Sequence, residues 1–156
     1  MDQLSDADAC RDGHRVLVVD DNRSVREPLV VLLEGRGFSA RGVGNGREAL
    51  QMLRGGFDAC LILLDLTMPI MDGWTFRTVQ QGEPKLAGIP IVVLTALTDP
   101  KKAAEELGAV AGFSKPLDLE HLMHLVAEHC PHTVPPSRAA SGAADRAAEI
   151  LRPKRA

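Results

Sequence analysis

Tyrosine is missing from this chain altogether. With one tryptophan (Trp74) and four phenylalanines, aromatics amount to 3% of 156 residues. That scarcity argues against the stacking platforms on which single-stranded nucleic acids bind. Cysteine is nearly as rare: Cys10, Cys60 and Cys130 are odd in number and form no Cys-x-x-Cys pair. They predict neither a disulfide framework nor a zinc knuckle and suit a reducing cytoplasm, with Cys60 a small core residue at the start of a buried strand. No run approaches the roughly eighteen apolar residues a membrane span needs. Met1 to Gly13 is acidic and polar, without the apolar core of a signal peptide. A net charge of -3 argues against electrostatic attraction to nucleic acid. These absences predict a soluble, cytoplasmic protein with neither nucleic acid nor membrane as a partner.

What is present is an alternation of strand-like and helix-like segments from His14 to about Cys130, long enough for one domain and too short for two. Strands are predicted at Arg15 to Val19, Phe38 to Val43, Ala59 to Leu64, Ile89 to Leu94 and Ala111 to Ser114. Their runs, such as Val16-Leu17-Val18-Val19 and Leu61-Ile62-Leu63-Leu64, are continuously apolar, the pattern of strands buried on both faces of a parallel sheet. Helices are predicted from about Arg23 to Glu34 (with Pro28 introducing a bend or a tight first turn), Gly46 or Arg47 to Leu53, after Asp72-Gly73 to Gln81, Pro100 to Leu107, and Asp118 to His129. Five such units give an α/β domain, a parallel sheet with helices on both faces. Residues 1–13 read as an extension. Residues 131–156, rich in Pro and Ala with a basic end, read as a mostly disordered tail without a second folded domain.

Three aspartates follow the ends of strands: Asp20 and Asp21 after the first, Asp65 after the third. Strand ends of a parallel sheet open onto one crevice, so Asp20, Asp21, Asp65, Thr95 and Lys115 are predicted to converge on one rim. Carboxylates gathered there raise one another's pKa unless a cation sits among them, and a hard ion such as Mg2+ suits oxygen ligands. A nucleophilic carboxylate, a divalent ion, a hydroxyl and an ammonium together fit phosphoryl transfer to aspartate.

Asp20-Asp21, the segment Asp65-Leu-Thr-Met-Pro-Ile-Met-Asp-Gly73, Thr95-Ala96 and Lys115-Pro116 resemble, in order and spacing, the receiver domain of two-component response regulators, in particular the stand-alone, chemotaxis-regulator-like form. The resemblance implies a flavodoxin-like, doubly wound five-stranded sheet of order 2-1-3-4-5. It also implies Asp65 as phospho-acceptor and Mg2+ held by Asp21, Asp65 and the backbone carbonyl of Thr67, with Asp20 acting largely through water. Thr95 would be the switch hydroxyl, Lys115 the partner of Asp65 or its phosphoryl group, and the peptide before Pro116 cis. The donor would be a sensor histidine kinase or a histidine phosphotransfer protein, and the output contact with an unknown downstream protein. Alternatives are a receiver fold kept as an unphosphorylated binding module, and an aspartyl-phosphate phosphatase. The latter usually carries a second acid two residues after the nucleophile, where Thr67 stands.

One departure concerns output. Many receivers place Tyr or Phe three residues before the lysine, and here that residue is Gly112; Phe113 faces the other way and is predicted to be core. His121, His124, His129 and His132 read as a solvated helix face, Gly42-x-Gly44-x-Gly46 as a flexible turn, and Asp72-Gly73 as the turn into the third helix.

Overall fold

A computed structural model describes residues 15–130. The predicted extension, the tail, Cys10 and His132 lie outside these residues. Five strands form one parallel sheet: β1 (Arg15–Val19), β2 (Ser39–Val43), β3 (Leu61–Asp65), β4 (Ile91–Thr95) and β5 (Ala111–Ser114), in the order β2-β1-β3-β4-β5. Every pairing is parallel. β3 and β4 are buried along their whole length, as their unbroken apolar runs require.

Crossover helices cover both faces. α1 (Arg23–Gly35) and α6 (Leu119–His129) pack on one, where Leu29, Leu33, Leu122 and Val126 meet Val16, Val18, Leu61 and Leu63. The other face carries α2 (Gly46–Arg54), α3 (Gly73–Gln81), the single turn α4 (Pro84–Ala87) and α5 (Pro100–Leu107). There Leu50, Phe76 and Leu107 meet Leu17, Ile62 and Val93. Aspartate or asparagine side chains cap five of these helices: Asn22, Asn45, Asp72, Asp99 and Asp118 each accept a backbone N–H of the first turn. α1 continues unbroken through Pro28, which lies on its exposed side, where the missing donor is no loss to the core.

One feature overturns the sequence reading and a second lies outside it. Cys60 and Cys130 form a disulfide, with Cα atoms 5.9 Å apart and a separation of 70 positions in sequence. Cys60 directly precedes β3 and Cys130 caps the end of α6, so the fold brings together two residues whose spacing gave no hint of pairing. An odd count leaves one cysteine over but does not forbid a pair. The inference of a reducing compartment therefore loses its support.

The second is a buried arginine. Arg77 of α3 donates through Nε to Leu107 O (2.8 Å), through Nη1 to Gln80 Oε1 (2.8 Å) and through Nη2 to Gly108 O (3.1 Å). Gln80 in turn donates to Leu86 O and Ile89 O. The guanidinium satisfies the last carbonyls of α5, where a positive charge also complements the helix dipole. It ties α3 to α5, the helices that leave the two loops behind Asp65 and Thr95.

Candidate functional site

The register places the site. Val19 lies opposite Leu64, so Asp20 and Asp65, one residue further on, sit side by side at the ends of β1 and β3. Asp65 pairs with Leu94, which puts Thr95 at the same rim, and Thr95 pairs with Ser114, the residue before Lys115. Strand alternation sends Asp20, Asp65 and Lys115 toward the α1/α6 side. The side chains of Asp20, Asp21, Asp65 and Lys115 meet in one crevice, with Thr95 on the same rim at the end of β4.

Lys115 reaches across the end of β4. Its Nζ stands 2.8 Å from Asp20 Oδ2 and 3.3 Å from Asp65 Oδ1. One carboxylate oxygen from each of Asp20, Asp21 and Asp65 lies within 4.8 Å of the other two. Asp20 is fully buried, Asp65 nearly so, and Asp21 is exposed. Burial, and then the charge of Asp20, push the Asp65 carboxyl up to about 6, while Lys115 and a backbone hydrogen bond from Thr67 pull it down. Burial draws the Lys115 ammonium down, but Asp20 and Asp65 more than offset this and leave it raised. One ammonium thus falls short of neutralising three acids.

That shortfall and the all-oxygen donor set fit a magnesium ion. Mg–O bonds of about 2.1 Å put opposite ligands roughly 4.2 Å apart, so the cluster need contract by less than about 1 Å.

The surrounding loops are tightly built. Thr95, almost fully buried, accepts the Leu97 N–H on Oγ1 at 3.0 Å, which leaves its own O–H free to donate. The Lys115 N–H donates to Thr95 O, and the Lys115–Pro116 peptide is cis, as the resemblance implied. Asp72 caps α3, so the predicted turn is also the helix start. Gly73 is more than a turn residue: a Cβ there would stand 2.6 Å from the Asp65 carbonyl oxygen. Ile70, with φ of 65°, occupies the left-handed region that β-branched residues avoid.

The glycine-rich segment, read as a flexible turn, is closely packed at two of its three glycines. A Cβ on Gly42 would meet Arg26 Cγ at 2.9 Å, and one on Gly46 would meet Met71 Cγ and Phe76 Cβ at the same distance. Both glycines are seats for neighbouring side chains. His121 and His124 are exposed as expected, and His121 also packs edge-on against Phe113. Phe113 is buried in the α1/α6 core, as predicted. Gly112 faces α5, and a Cβ there would lie 2.3 Å from the Pro100 carbonyl oxygen. The space a switch aromatic would need is filled by the first turn of α5.

The chain is similar to known proteins in sequence and fold. The family described as "Response regulator receiver domain" matches residues 16–127. The hybrid signal transduction protein dokA of Dictyostelium discoideum is 39% identical over 114 residues, covering 72% of this chain and 7% of that protein. The DNA-binding response regulator MtrA of Mycobacterium tuberculosis is 42% identical over 85 residues, covering 54% of this chain and 36% of that protein. The chain thus spans well under two thirds of the curated relatives it matches. Among solved structures, a response regulator receiver protein from Pseudomonas putida superposes with a TM-score of 0.68 at 33% identity, covering 74% of this chain and 96% of that one. Chemotaxis response regulator CheY4 of Vibrio cholerae gives 0.67 at 29% identity, with 74% and 98% covered.

Proposed function

Because the chain belongs to the response regulator receiver domains, we propose that it accepts a phosphoryl group on Asp65 from a phosphohistidine of a sensor kinase or phosphotransfer protein. On this reading it signals by protein contact and is not a turnover enzyme. The observation that carries the proposal is the meeting of Asp65 with Lys115, Asp20 and Asp21 at one edge of the sheet.

In the transfer, a carboxylate oxygen of Asp65 forms the new O–P bond as the N–P bond of the donor breaks, and the imidazole leaves with the electron pair. Asp65 must be ionised for this, and at pH 7 it is, since about 6 lies below ambient pH. Lys115 places a positive charge 3.3 Å from the nucleophilic group, suited to a phosphoryl oxygen once Asp65 is modified. The free O–H of Thr95 would donate to another. Asp20, Asp21, Asp65 and the Thr67 carbonyl would hold Mg2+, which when bound neutralises the carboxylates and the incoming phosphoryl charge. Ile70, Trp74 and Leu97 expose apolar surface beside these acids, area on which a protein partner could dock. On this reading the domain works in the cytoplasm, where its kinase partner would act, and neither its charge nor its scarcity of aromatics favours direct contact with nucleic acid.

The test is incubation with Mg2+ and acetyl phosphate, read by intact mass. A single phosphoryl adduct is expected, and Asp65→Asn should abolish it. An adduct that survives this substitution would move the acceptor elsewhere, and none in the unaltered protein would reduce the fold to a binding module.

A further inference from the structure

Arg26 lies one turn into α1, and two observations single it out. Its Nη1 donates to the main-chain carbonyl of Asp20 at 2.7 Å. Its stem fills the notch left by Gly42, where a Cβ would stand 2.9 Å from Cγ and 3.0 Å from Cδ. The guanidinium is therefore aimed by packing on β2 before it makes its hydrogen bond.

What it holds is the peptide joining Asp20 to Asp21. The Asp20 N–H is already fixed to Val43 O at 3.1 Å, and Asp20 Oδ1 accepts the Asn22 N–H at 2.8 Å. Asp21 itself, exposed, makes no hydrogen bond among the described residues. Its placement is inherited from the peptide on its amino side. We propose that Arg26 is a positioning residue that fixes Asp21 for the metal, acting through the Asp20 carbonyl; this rests on the Mg-dependent reading above.

Charge alone makes the opposite demand. A guanidinium beside the acids opposes a second cation, so if Arg26 acted only through its field, removing it would tighten Mg2+ binding. If it positions Asp21, removing it weakens binding despite the relief of repulsion. The sign of the change separates the two.

The experiment is calorimetric titration of the full chain with MgCl2, well below the unfolding temperature, for the unaltered protein, Arg26→Met, Arg26→Lys and Gly42→Ala. Arg26→Met keeps the stem and deletes donor and charge; Mg2+ affinity should fall by about 10-fold, the usual scale for losing a group that orients a metal ligand. Arg26→Lys, with charge and a donor on a shorter reach, should fall between. Gly42→Ala keeps the guanidinium but displaces its stem, and should weaken binding too, a second route should Arg26→Met fail to fold. At saturating Mg2+, labelling by acetyl phosphate should return to near the unaltered rate, a recovery that mere structural damage would not give. Unchanged or tighter binding in Arg26→Met, or in Gly42→Ala if that is the variant that folds, would overturn the inference. Failure of the unaltered chain to bind Mg2+ would instead sink the metal reading and this inference with it.

Discussion

The two ends of the sheet are held by opposite means. At the carboxyl ends of the strands, buried acids face one another across a single ammonium, and Asp65 is pushed up to about 6. At the amino ends the fastenings are covalent or fully partnered: the Cys60–Cys130 bond, and Arg77 spread over Leu107, Gly108 and Gln80. A domain can tolerate a rim whose charges oppose folding if the rest of the structure over-determines it. The comparison assigns stability to one end and chemistry to the other, and it can be broken from either side.

The largest effect should come from the stapled end. Opening the Cys60–Cys130 bond frees a loop of 70 residues in the unfolded chain, and chain entropy puts its contribution at about 4 kcal/mol. Thermal unfolding of Cys130→Ala, or of the unaltered protein in a strong reductant, should fall well below that of the oxidised protein. The acidic rim, 5 strand residues away along β3, should still take the phosphoryl group from acetyl phosphate. Loss of labelling while the domain remains folded would show that the ends are not separable.

The rim supplies the next effect, with the opposite sign. Asp65 has a folded pKa near 6 against 3.8 in the unfolded chain, so the folded state binds the proton more tightly. Its contribution vanishes below the unfolded value, where both states are protonated. It turns unfavourable as pH rises through the window from about 4 to 6, reaching about 3 kcal/mol above it. Denaturant unfolding in EDTA should therefore show the unaltered protein losing stability relative to Asp65→Asn across that window. A difference that stays flat with pH would mean Lys115 already compensates the acid fully.

Much of the sheet and of its acidic end was legible in the sequence alone. The unbroken apolar runs announced strands buried on two faces, and their ends announced where Asp20, Asp65, Thr95 and Lys115 would gather, because a parallel sheet aligns its strand ends. What stayed hidden depends on contacts between elements far apart in sequence. Nothing around Cys60 points to Cys130, nothing in α1 says that Arg26 will reach the Asp20 carbonyl, and the glycines at 42, 46 and 73 look like turn residues until their neighbours are known. The single turn at Pro84–Ala87 is too short for periodicity to reveal.

Gly112 shows how far a local reading can go. Its identity alone says that the switch aromatic is missing; its surroundings say that the aromatic could not be restored by substitution. The first turn of α5 lies directly on β5 there, with the Pro100 carbonyl oxygen 2.3 Å from where a Cβ would be. Backbone cannot yield as a flexible side chain would, so even Gly112→Ala must move α5 outward. Overpacking of this kind is expected to destabilise by about 2 kcal/mol, the smallest of the three effects. Because Arg77 pins the far end of α5 at Leu107 and Gly108, the displacement should be greatest at Pro100, beside the Thr95–Leu97 loop. Amide chemical shifts of Gly112→Ala should therefore change most from Leu97 to Lys101 and least at Leu107. Shifts spread evenly along α5 would show the helix moving as a rigid whole, and would leave the acidic rim and the output face uncoupled through this contact.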